Sequence, residues 1–172
     1  MNYNANLIQE FALDLTARSR REFISKVADK IKDAKNIFLI GRDINYVTAL
    51  EGALKLKEIC YIHAEAFAGG ELKHGSLALI EENVPVIVFA DNKTKEKILS
   101  NASEVKARNA FVIGIAPFNS ELFDIWIKVP EAKLLNPAIQ IIPIQLLTYE
   151  IAVKKELNPD KPRNLAKSIT VV

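Results

Sequence analysis

Apolar positions along the chain alternate between two spacings. Ile8, Phe11, Ala12 and Leu15 recur at the i, i+3, i+4, i+7 spacing of one helix face, and Phe23, Ile24, Val27 and Ile31 resume it. Between them Ala17-Arg18-Ser19-Arg20-Arg21 reads as a solvated join of two helices, with a phosphate or acidic partner as the minor alternative. Asn36 to Ile40 is a short continuous apolar run ending at Gly41, the pattern of a buried parallel strand feeding a tight turn. Asn45 to about Tyr61 is helical again. Val47, Leu50 and Leu54 form one stripe and Ala49, Ala53 and Leu56 another, which predicts a wide, mostly buried face.

His63 to Phe67 alternates like a short strand, and Glu71 to Ile80, after Gly69-Gly70, has room for a short helix. Val84 to Ala90, Phe111 to Ile115 and Ile125 to Val129 read as strands, the last stopped by Pro130. Lys93 to Ala107 reads as a charged surface helix anchored by Ile98 and Val105, and Ala138 to Lys154 as an apolar helix despite Pro143. Asn158 to Pro162 ends that helix and begins a tail. Strands alternating with helices predict a parallel sheet covered on both faces. Ligands of such sheets sit beyond the carboxyl ends of the strands, here after Ile40, Phe67, Ala90 and Ile115.

Composition narrows the chemistry. The 172 residues suit one domain, and 23 basic against 21 acidic residues leave a net charge of +2 without long runs of one sign. That balance is not the footprint of a nucleic-acid binder. A single cysteine, Cys60, excludes an internal disulfide and a multi-cysteine zinc site. His63 and His74 lack the spacing of a helical zinc pair, and the six glycines assemble neither common nucleotide cradle. No apolar run approaches the ~20 residues of a membrane helix, and the first residues do not read as a secretory signal. The cytoplasm is the expected compartment.

Glu51, Lys55 and Glu58 are spaced to share one helix face. Spacing alone leaves two readings: a solvent-facing ion-pair ladder, or a Lys/Glu acid–base pair tuned by burial at a cleft. His74, in a glycine-flanked turn, is either a surface histidine or a general acid or base. His63, at the start of an expected inner strand, reads as a hydrogen-bonded structural residue, and Cys60 as core. The tail closes with Ile169, Val171 and Val172, which favour burial, so it is expected to dock and carry Lys167 with it. Lys167 is then either a surface lysine on a docked tail or an amine able to form a Schiff base with a sugar carbonyl.

Several runs together resemble one family: Gly41-Arg42, Tyr46, Ala49 to Glu58, Tyr61 to Ala66, Gly70 to Gly75 and Pro162 to Ser168. The family is glutamine–fructose-6-phosphate aminotransferase, or glucosamine-6-phosphate synthase, and the match is to its second, C-terminal sugar-isomerase (SIS) domain. The resemblance runs from about Leu7 to Val172. It implies an α/β fold, a flavodoxin-like three-layer αβα sandwich around a five-stranded parallel sheet. Residues 7–155 would form the body and residues 156–172 the docked tail.

It also implies conversion of fructose 6-phosphate and glutamine to glucosamine 6-phosphate and glutamate, without a metal or organic cofactor. By matching position, Lys167 resembles the Schiff-base lysine, Glu58 the base moving a proton between C1 and C2, and Lys55 its assisting lysine. His74 resembles the ring-opening histidine that arrives from the neighbouring subunit of a homodimer. Ala166, Lys167 and Glu58 are the positions that would contact sugar. Asp43, Val47, Ser76 and Val172 depart from the family's usual Gly, Pro, Pro and Glu.

No catalytic cysteine follows Met1, so no glutaminase is expected here, and the Ser/Thr-rich phosphate loop of the family's first SIS domain is also missing. The turn after Ile40 is Gly-Arg-Asp-Ile-Asn, where backbone amides at the next helix N-terminus could still attract an anion. The expected role is therefore the isomerase half-module of a longer enzyme, inactive alone and completed by glutaminase and first SIS domains. The alternative is a stand-alone phosphosugar-binding or regulatory SIS domain without catalysis.

Overall fold

The computed structural model describes residues 2–165. Helices α1 (Asn2–Thr16) and α2 (Arg18–Ile31) precede strand β1 (Asn36–Gly41) and helix α3 (Asn45–Cys60). Strands β2 (His63–Ala68) and β3 (Pro85–Phe89), helix α4 (Lys95–Lys106), strands β4 (Phe111–Ala116) and β5 (Ile125–Lys128), and helix α5 (Asn136–Lys154) follow. All five strands are parallel, in the order β2-β1-β3-β4-β5. This is the expected αβα architecture. The chain reverses direction across the sheet between β1 and β3.

The period-2 alternation of side chains divides the core into two layers. Ile37, Leu39, Ile87, Phe89, Ile113 and Ile115 pack with α2, α3 and α5. Phe38, Ile40, Val86, Val88 and Val112 pack on the other face with Ile98, Ala102 and Val105 of α4. Both faces of the central strands are buried, so they read as continuous apolar runs. Pro85 opens β3, where its missing N–H disturbs the ladder least. Ala17 leaves helical geometry between α1 and α2. The arginines that follow pair with the chain's own carboxylates: Arg18 with Glu22, Arg20 with Asp14, Arg21 with Glu150.

The β1–α3 turn explains two residues. A Cβ on Gly41 would collide with the backbone carbonyl of Asn45, because the strand end is pressed against the start of α3. Asp43 takes the left-handed conformation, φ 52°. Glycine meets that demand at least cost, and aspartate is one of the few other residues that tolerates it. Aspartate therefore meets the conformational demand of this turn at position 43.

Three expectations change. β2 is an edge strand, so His63 is exposed rather than internal, although its Nδ1 does lie 2.9 Å from Asn36 Oδ1. Glu71 to Ile80 forms successive turns and one short 3₁₀ turn, Ser76–Leu79, instead of an α-helix. Gly75 stands there at φ 135°, outside helical geometry. Finally, only one stripe of α3 is buried. Ala49, Ala53 and Leu56 face the core, whereas Val47, Leu50 and Leu54 remain 57%, 47% and 41% exposed. A helix lying on a sheet and against α5 has only part of its circumference to bury.

Candidate active site

The third and fourth turns of α3 bring together Lys55 and Glu58. Lys55 Nζ donates to Glu58 Oε2 at 2.6 Å and also lies 3.3 Å from Glu51 Oε1. The three side chains therefore share one face, as their spacing predicts. All are partly exposed, which limits what the ion pairs add to stability. The hydrogen bond from Lys55 to Glu58 raises the lysine pKa above its ordinary value, against the opposing effect of burial. Burial therefore does not turn Lys55 into a base. It remains an ammonium that gives Glu58 a charged donor.

Glu58 borders a cavity of about 330 Å³, lined also by Leu54, Lys57, Tyr61, Arg163, Asn164 and Leu165. The polypeptide beyond α5 thus reaches the end of α3. The Arg163 amide donates to Tyr61 Oη at 2.8 Å, and its guanidinium lies 4.1 Å from the centroid of the Tyr61 ring. Ala166 and Lys167 lie outside the described residues. His74 is exposed in the turn after β2 and does not line this cavity. Cys60 is buried, its thiol pushed up to about 12 by burial, and its Sγ donates to the Thr148 carbonyl. It is a core residue.

The position of this cavity departs from the strand-end rule. α3 runs from the carboxyl end of β1 back to the start of β2, so Glu58 and Tyr61 lie toward the amino ends of the strands. A larger cavity, about 560 Å³, does occupy the β1/β3 reversal and is lined by Asp43, Asp91, Lys93, Glu131, Lys133 and Asn136 among others. Sequence reading did not single out Asp91, Glu131 or Asn136. The turn residues Asp91-Asn92 after an apolar strand were the available signal.

The first amides of α3 at this reversal are already taken. The amides of Asn45, Tyr46 and Val47 donate to the carbonyls of Arg42, Asp43 and Ile44. At the start of α4, Asp91 Oδ1 accepts from both the amide and the hydroxyl of Thr94, each at 2.7 Å. The expected pull of the α3 amides on a phosphate is therefore weakened by the turn that shapes them. Among the described residues, no three His, Cys, Asp or Glu side chains gather as metal ligands.

Burial pushes the Asp91 carboxyl up, but hydrogen bonds from the Thr94 side chain and backbone, and from Asn136, outweigh it and hold the pKa below the ordinary value. A lowered folded-state pKa contributes stability above the unfolded-state pKa, and that contribution is lost as pH falls through the folded value. Asp91→Ala should cost about 1 kcal/mol at neutral pH through loss of these hydrogen bonds, with the difference shrinking in acid. Urea unfolding at a series of pH values checks this.

Comparison with known proteins places the geometry in context. The SIS domain family model matches residues 30–155. Glutamine–fructose-6-phosphate aminotransferase of Pyrococcus horikoshii is 53% identical over 152 residues, covering 86% of this chain and 25% of that protein. The Gloeobacter violaceus enzyme is 47% identical over 159 residues, covering 89% and 26%. The chain thus spans about a quarter of the length of the curated relatives it matches. Among solved structures, the C-terminal domain of glucosamine-fructose-6-phosphate aminotransferase from Francisella tularensis superposes with a TM-score of 0.81 at 35% identity. That match covers 92% of this chain and 44% of the other. Glucosamine-6-phosphate deaminase of Thermotoga maritima gives 0.68 at 26% identity, covering 90% and 48%. With a family model matching most of the chain and the expected five-stranded parallel sheet, the protein belongs to the SIS domain family.

Proposed function

We propose that this chain is the C-terminal isomerase half of a glucosamine-6-phosphate synthase, completed by a glutaminase and a first SIS domain. The observation that carries this is the exposed stripe Val47–Leu50–Leu54, which runs along α3 into the cavity bordered by Glu58. Apolar surface ending at a candidate catalytic group calls for a covering domain. The first SIS domain is the proposed occupant, since the relatives extend well beyond the matched quarter. The occupied amides at the start of α3 support placing the phosphate on that companion domain.

In this reading fructose 6-phosphate binds between the two SIS domains. Lys167 Nζ attacks the C2 carbonyl of the open-chain sugar and forms an imine with loss of water. Ammonia from the glutaminase domain then adds to C2 and displaces the Lys167 amine, which leaves the C2 imine of the sugar and a free lysine. The Glu58 carboxylate takes a proton from C1 of that imine and returns it to C2, which gives the C2 amine and the C1 aldehyde of glucosamine 6-phosphate. The Lys55 ammonium steadies that carboxylate. His74 opens the sugar ring from the neighbouring subunit of a homodimer, consistent with its exposure and its absence from the cavity of its own chain.

The test is twofold. The chain alone should show no glucosamine 6-phosphate synthesis from fructose 6-phosphate and glutamine, and negligible fructose 6-phosphate binding by calorimetry. Micromolar binding by the isolated chain would favour the stand-alone sensor instead. In a protein of the relatives' full length carrying this segment, Lys167→Ala should abolish sugar isomerisation while glutamine hydrolysis continues. Retained isomerisation removes Lys167 from the site.

A further inference from the structure

We infer that Tyr61 is a positioning residue that clamps the tail against the helix bearing Glu58. The inference rests on the reading above, in which the tail carries a catalytic lysine, and adds how the chain leading to it is anchored at Arg163.

Tyr61 closes α3 in the left-handed conformation, φ 54° and ψ 34°, with its amide bonded to the Leu56 carbonyl. Helices end this way most cheaply on glycine, and a bulky residue here is an outlier. Strain of this kind persists where the surroundings over-determine it, and it clusters at functional sites. The Tyr61 side chain has an evident use. Its hydroxyl accepts the Arg163 amide, and its ring face receives the Arg163 guanidinium. One side chain therefore holds both the backbone and the charge of one tail residue.

The geometry is suited to positioning. Tyr61 lies three residues after Glu58, at the end of the same rigid helix, and both border one cavity. Arg163 lies four residues before Lys167. The clamp sets the origin from which the short connection to Lys167 extends. Further back, Lys155 Nζ donates to the Lys32 carbonyl and the Leu157 amide to the Ala152 carbonyl, so the start of the tail is held as well. Asn158 Oδ1 accepts the amides of Asp160 and Lys161, shaping the turn that delivers Arg163 to the ring.

Two measurements test this. In the full 172-residue chain, hydrogen exchange at the Arg163 amide should quicken roughly five-fold in Tyr61→Phe, which removes one hydrogen-bond acceptor and leaves the ring. Tyr61→Gly should quicken it further while relieving the backbone, so its thermal stability should fall little. Arg163→Ala should loosen the tail, and Arg163→Lys should partly restore it through the cation over the ring. Unchanged exchange in Tyr61→Phe and Tyr61→Gly overturns the clamp.

In a protein of the relatives' full length, Tyr61→Phe should lower kcat for sugar isomerisation several-fold with KM nearly constant. A rise in KM alone, or no change, overturns the positioning role. Lys167→Ala separates the two ideas. If it retains isomerisation, the catalytic reading of the tail fails while exchange at Arg163 still judges the clamp. If it abolishes isomerisation and Tyr61→Phe changes neither exchange nor kcat, the clamp alone fails.

Discussion

Glu58→Gln, placed in a protein of the relatives' full length, should lower sugar isomerisation by about 10²- to 10⁴-fold, the usual contribution of a positioned general base. Glutamine keeps the size of the side chain and an oxygen facing Lys55, but it cannot take a proton from C1. Glutamine hydrolysis should continue at its normal rate, because the ammonia source would lie in a different domain. Folding should also be nearly unaffected, since the Lys55–Glu58 pair is partly exposed and such pairs add little to stability. Coupled assays of glutamate and glucosamine 6-phosphate on the same preparation read both reactions. A variant that isomerises at the parental rate would return the α3 charges to the ion-pair ladder.

The second large effect is on folding. Gly41→Ala should destabilise the chain by about 3 kcal/mol, the upper end of the usual cost of overpacking. The atoms in the way are the backbone of Asn45 and Tyr46, which no rotamer change can move aside. Relief requires β1 and α3 to separate, and both belong to the main core. Gly70→Ala is the matched control. There the nearest atom to an added Cβ is the Arg42 guanidinium at 3.5 Å, the far end of a flexible side chain. Its effect should stay within about 0.5 kcal/mol. Urea midpoints for the two variants check the contrast, and equal midpoints would contradict the steric account.

Much of the architecture was legible because both periodicities are strong. The runs at Ile37–Ile40, Val86–Phe89 and Phe111–Ile115 are apolar at successive positions, as strands covered on both faces must be. Edge and centre were not legible in the same way. His63 to Phe67 alternates like any half-buried strand, and its place outside β1 follows from the path of the chain across the sheet. The α3 face misled for a related reason. Val47, Leu50 and Leu54 are spaced like core residues, and only the packing of α3 on the sheet shows that this stripe has no partner within the described residues.

The candidate site divides along the same line. The strand–helix alternation and the Glu51, Lys55, Glu58 face were legible because they depend on spacing within single elements, and the family resemblance because several specific runs occur together. The sequence also marked the missing phosphate loop through the residue types after Ile40. Tertiary structure alone decided the rest. It joined Tyr61 to Arg163 across 102 positions of sequence, and it satisfied the first amides of α3 at the β1/β3 reversal with the chain's own carbonyls. It also set Glu58 toward the amino ends of the strands instead of the carboxyl ends. Such pairings arise from where a parallel crossover returns the chain, a property of the whole sheet that no local window of residues contains.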